Sequence, residues 1–169
     1  GNILIGQKNI PAIADLGISK PVDASSDDNA IYGVIPYVAP EVLKRGKFTQ
    51  ASDIYSFGMI MWEVISGCRP FSDRKHDEHL ILDILNGFRP EIPTNTPQDF
   101  VKLMEKCWHS DSEKRKFKDY RGNLSMRTYF LGRELDELII KARRGEIKFP
   151  ENKDTSILPT KINEQAIYS

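Results

Sequence analysis

Two short apolar runs open the chain, residues 3 to 5 and 10 to 14, separated by Gly6, Gln7, Lys8 and Asn9. That spacing predicts a β-hairpin with a polar turn. Pro11 has no N–H to give to a central ladder, so it belongs at an edge or at the first position of its strand. From Gly17 to Asn29 the residues are small, polar and acidic, with little to bury, which predicts a loop. The stretch from Ser52 to Ser66 is apolar on nearly every side, through Ile54, Tyr55, Phe57, Met59, Ile60, Met61, Trp62, Val64 and Ile65. A helix so apolar all round is a central core helix, and Gly67 is placed to end it. A second helix is expected from about His76 to Asn86, with Leu80, Ile81, Ile84 and Leu85 inward and Gly87 at its end. A third has Thr96 as its expected N-cap, Pro97 at the first helical position and Asp99 close to completing a capping box. Phe100, Leu103, Met104, Cys107 and Trp108 then share one face at helical spacing. Residues 109 to 123 are charged and irregular, and a further amphipathic helix follows with Leu131, Leu135, Leu138, Ile139 and Ala142 on one stripe.

The pattern predicts one compact, mainly helical domain over residues 1 to 145, followed by a polar tail over 146 to 169 that contains Pro150 and Pro159. A chain of 169 residues, 40% hydrophobic and 28% charged, is long enough to bury a core. Lys and Arg number 24, as do Asp and Glu, so no net field points to nucleic acid or to an anionic membrane surface. No apolar stretch approaches the roughly 20 residues of a membrane helix. A soluble, cytoplasmic protein is expected. Cys68 and Cys107 are far apart in unlike contexts, which predicts two reduced, partly buried thiols rather than a disulfide or a zinc site.

The hairpin pattern carries candidate chemistry at its open end, where Asn2 and Asp15 bring an amide oxygen and a carboxylate together. Oxygen ligands so placed suit a hard cation such as magnesium, which takes its remaining ligands from water and phosphates. Taken alone, both residues are more often ordinary turn chemistry. The ordered series of Asn2, then Asp15 with Leu16 and Gly17, then Ala39 with Pro40 and Glu41, then Asp53 ahead of Phe57 and Gly58, is far more specific. Over residues 1 to about 115 this series resembles the C-terminal (large) lobe of a eukaryotic protein kinase, a mainly α lobe with a short N-terminal β-hairpin. The complete fold in that family is α+β.

The resemblance implies that Asn2 closes the catalytic loop and that Asp15, Leu16 and Gly17 stand for the Asp-Phe-Gly motif, with leucine for phenylalanine. Asn2 and Asp15 would hold magnesium on the ATP phosphates. Leu4 would form the floor under the adenine and Ala14 would line the pocket. Ala39, Pro40 and Glu41 match the end of the activation segment, which opens at Asp15. Ser25, Ser26 and Tyr32 are its candidate phosphorylation sites, although Asp27 and Asp28 already supply negative charge. The family also implies a buried ion pair of Glu41 with Arg115, and an Asp53 that accepts hydrogen bonds from the catalytic-loop backbone. Trp62 with Glu63, Gly67 with Pro70 and Phe71, the run Gly87 to Pro93, and Cys107 with Trp108 look most like the tyrosine-kinase-like branch; both tryptophans read as core packing.

The pattern departs from the family in three places. The catalytic base and its neighbouring lysine would lie ahead of Gly1, as would the glycine-rich loop, the phosphate-binding lysine and its glutamate partner. Val34, next to Gly33, stands where serine/threonine kinases usually place threonine, which leaves the acceptor hydroxyl open between Ser/Thr and Tyr. After Arg115 the expected proline is Lys116, and the match weakens. The implied activity is ATP- and magnesium-dependent phosphoryl transfer to a protein substrate, with this chain alone expected to be inactive without its N-terminal lobe. The alternative is a truncated or pseudokinase-like binding module.

Overall fold

The computed structural model describes residues 3–5, 11–13, 33–44, 46–116, 137–138, 140–142 and 144–147. Strand β1 (Ile3–Ile5) pairs antiparallel with β2 (Pro11–Ile13), and Ile3 lies opposite Ile13. Pro11 takes the first position of its strand, where its missing N–H costs least. After a 3-10 turn at Ile35–Tyr37 come the helices α1 (Pro40–Leu43), α2 (Gln50–Ser66), α3 (Glu78–Leu85) and α4 (Gln98–Cys107), and a second 3-10 turn at Ser112–Arg115.

Helix α2 is the axis of the core. Tyr55 and Met59 are fully buried on it, with Ile54, Met61 and Trp62 close behind. It begins earlier than the apolar run at Ser52, because Thr49 and Ser52 form a reciprocal cap. The Thr49 hydroxyl accepts from the Ser52 N–H at 3.3 Å, and the Thr49 N–H donates to Ser52 Oγ at 2.8 Å. Gly67 ends the helix with φ 73°, and its N–H donates to the Glu63 carbonyl at 2.8 Å. Midway along, Gly58 permits the closest approach of α4. A Cβ built there would sit 2.8 Å from Cβ of Cys107.

Helix α4 presents Leu103, Met104 and Cys107 to α2, with Trp108 buried after them and Phe100 at the edge of the core. Its start corrects the expected cap. Pro97, with an extended ψ of 134°, is the residue ahead of the helix, and its carbonyl accepts from the N–H groups of Phe100 and Val101. Thr96 is buried and its hydroxyl has no hydrogen-bond partner among the described residues. Asp99 turns away from any capping box to accept from Lys141 Nζ at 2.8 Å.

Helix α3 is shorter at both ends than its pattern, since Asp77 takes the cap position and accepts from the His79 and Leu80 N–H groups. Leu80 and Ile84 are buried, Ile81 and Leu85 pack at the margin, and Gly87 follows with φ 94°. Of the last expected helix, residues 137, 138 and 140–142 are helical and Leu138 is buried against the core; Leu131, Leu135 and Ile139 lie outside the described residues. Among the described residues neither cysteine is in a disulfide; Cys107 is buried and Cys68 half-buried. Among the described residues no helix is long and apolar enough to cross a membrane.

Candidate functional site

Short helix α1 places Glu41. Ala39 is its extended cap residue and Pro40 its first helical residue, where a missing N–H is harmless. Glu41 Oε2 accepts from Arg115 Nη2 at 2.5 Å, and Arg115 Nη1 donates to the Ala51 carbonyl at 2.7 Å. The arginine is fully buried, whereas the Glu41 side chain keeps 28% of its surface. One guanidinium therefore ties the end of the 33–41 segment to the head of α2 across the whole core.

A second arginine works beside it. The guanidinium of Arg115 lies 5.7 Å from the ring centre of buried Tyr55, and that of Arg89 lies 5.1 Å from it. Burial pushes the Tyr55 phenol up, against the opposing pull of the two cations, and burial lowers the guanidinium of Arg89. Arg89 donates to the carbonyls of Ile84, Phe88 and Trp108, so it closes the ends of α3 and α4 together.

The turn ahead of α1 is fastened at Tyr37. Its hydroxyl donates to Glu63 Oε2 at 2.5 Å, and its carbonyl accepts from Ser56 Oγ at 2.7 Å, both on α2. Burial first, then the bond and charge of Glu63, hold this phenol well above its ordinary range. Beyond that anchor the chain faces outward: Val34 is 50% exposed, and Gly33 sits at φ 120°, which only glycine adopts freely. Asp53, in the first turn of α2, is an exposed residue whose carboxyl is raised by partial desolvation. Among the described residues no hydrogen bond reaches that carboxylate. Trp62 is more than packing, because its indole donates to the Glu91 carbonyl at 2.8 Å.

The structure thus brings Ala39, Pro40, Glu41, Asp53 and Arg115 around the head of α2, with Gly33 and Val34 at the outer edge. Leu4 is placed only as a backbone position in β1. Asn2, Ala14, Asp15, Leu16, Gly17, Ser25, Ser26 and Tyr32 lie outside the described residues. Among the described residues no group of three or more His, Cys, Asp or Glu side chains could hold a metal ion. Sequence reasoning missed Tyr37 with Glu63, and Arg89 with Trp108, since groups that pair across 26 or 19 residues leave no periodic trace.

Residues 1–124 match the family model described as protein tyrosine and serine/threonine kinase. Over 117 residues the chain is 38% identical to a protein of Acanthamoeba polyphaga mimivirus described as a serine/threonine-protein kinase/receptor; that match covers 68% of this chain and 7% of the relative. It is 36% identical over 131 residues to ephrin type-A receptor 7 of Gallus gallus, covering 73% of this chain and 13% of that protein. A protein kinase and PP2C-like domain-containing protein of Arabidopsis thaliana is 29% identical over 153 residues, with 70% and 23% covered. The chain spans less than a quarter of the length of each of these relatives. With the kinase model matched over most of its length, the chain belongs to the protein tyrosine and serine/threonine kinase family.

Proposed function

We propose that this chain is the C-terminal lobe of a protein kinase, closest to the tyrosine-kinase-like branch, and that it serves ATP- and magnesium-dependent phosphoryl transfer to a protein hydroxyl. The observation that carries the reading is the pair of Glu41 with Arg115, 2.5 Å long and 74 residues apart in sequence. It fixes the Ala39-Pro40-Glu41 end of an activation segment to the helix that begins beside Asp53.

The strand register supports the placing of the metal ligands. With Ile3 opposite Ile13, the chain enters β1 and leaves β2 at the same end of the ladder, the end next in sequence to Asn2 and Asp15. An amide oxygen and a carboxylate suit magnesium, and the bound ion would neutralise charge on the transferring phosphoryl group. Leu4 and Ala14 would border the nucleotide. Tyr37, held by Glu63 and Ser56, steadies the turn from Gly33 on which a protein substrate would lie, and Arg115 keeps that turn and α2 in one rigid frame. Ser25, Ser26 and Tyr32 are candidate acceptors of a regulatory phosphate.

Joined to the remaining kinase segments in one polypeptide, the chain should phosphorylate protein in the presence of magnesium and ATP, and D15N should abolish the reaction. Full turnover in D15N would remove Asp15 from the metal site.

A further inference from the structure

The loop that joins α1 to α2 carries Lys44, Arg45 and Lys47 with no acidic residue between Glu41 and Asp53, and Phe48 follows at once. Among the described residues, the basic runs at 114–116 and 141–144 are at least partly neutralised. In the run at 114–116, Arg115 is on Glu41 and Lys116 is on Glu113. In the run at 141–144, Lys141 is on Asp99 and Arg144 faces Glu146. Lys44 and Lys47 are exposed and make no ion pair among the described residues, and the nearest acid before them, Glu41, is committed to Arg115. Phe48, beside them, leaves 48% of its surface in solvent.

Both ends of this loop are fixed. The Gly46 N–H donates to the Glu41 carbonyl at 2.9 Å, and the backbone passes so close that a Cβ on Gly46 would lie 2.4 Å from that oxygen. At the other end the reciprocal cap of Thr49 and Ser52 holds the entry to α2. Exposed cations and an aromatic ring on backbone held from both sides form a pre-organised surface, which spares a partner the entropy of ordering it. We propose that Lys44, Lys47 and Phe48 form a docking site for an acidic peptide segment of a partner protein, with the carboxylates on Lys44 and Lys47 and an apolar side chain against Phe48. The charge is complementary and the ring supplies the desolvated contact that charge alone lacks.

The test needs neither ATP nor catalysis, so it stands apart from the kinase reading. A fluorescein-labelled peptide of alternating glutamate and leucine is titrated with the 169-residue chain and followed by fluorescence anisotropy. K44E/K47E should weaken binding about tenfold or more, K44Q/K47Q less, and F48A about fivefold, while added salt weakens the wild type. K75E, at another exposed lysine, should bind as the wild type does. Unchanged affinity in K44E/K47E would overturn the proposal, as would an equal loss in K75E. Tighter binding to phosphatidylserine vesicles than to the peptide, lost through the same substitutions, would also overturn it in favour of a membrane surface.

Discussion

Two ion pairs tie distant parts of this chain together, and they sit in very different surroundings. Arg115 reaches Glu41 at 2.5 Å across 74 residues, and Lys141 reaches Asp99 at 2.8 Å across 42. The first guanidinium is fully buried, whereas the second pair leaves 44% and 40% of its two side chains exposed. Water and salt can substitute for the partner of an exposed charge. Nothing substitutes for the partner of a buried one. The deep pair therefore holds the frame of the site together, and the surface pair pins a peripheral helix onto α4.

The sharpest way to break this contrast is at Arg115. R115A leaves the Glu41 carboxylate and the Ala51 carbonyl without their donor, and should cost about 3–5 kcal/mol in urea unfolding. R115K keeps the charge without the planar fork, and should recover only part of that loss. A cost below about 1 kcal/mol for R115A would erase the distinction between the two pairs. Tyr37 should follow. Y37F removes the donor to a half-buried Glu63 carboxylate and should cost about 1–2 kcal/mol by the same measurement.

Lys141 should show the smallest effect. K141A should lower the melting temperature less than either change above, and high salt should erase the difference. It also has a pH signature. The bond from Lys141 and its charge hold the Asp99 carboxyl below the usual carboxylate range. A carboxyl lowered by folding adds stability above its unfolded value of about 3.9, and that stability is lost as pH falls through the lowered value. K141A should therefore flatten the acid limb of the stability curve. Asp53, raised by burial, works in the opposite sense: its contribution is present below the unfolded value and is lost as pH rises through the raised one.

Periodicity made the existence of the helices legible, and single polar residues decided where they begin. The apolar run showed α2 from Ser52, but its first turn is set by Thr49 and Ser52, whose reciprocal bonds do not register in a hydrophobic pattern. Thr96 and Asp99 carried the strongest capping pattern in the chain, and neither caps α4. Pro97 takes the place ahead of the helix, and Asp99 is drawn outward to Lys141. The pairing of Glu41 with Arg115 was legible only because the family resemblance implies it. Arg89 stood in plain view within the run Gly87 to Pro93, but its bond to the Trp108 carbonyl depends on how α3 and α4 come together in space. Such pairings are properties of the packed chain, and no local spacing encodes them.

A double-mutant cycle between Glu41 and Arg115, read by urea unfolding, tests most directly that one buried pair fastens the site to its core helix. With E41Q, R115M and the double variant, a coupling energy of at least about 2 kcal/mol is predicted, with the double variant less damaged than the sum of the single changes. Additive effects, with a coupling below about 0.5 kcal/mol, would contradict the account.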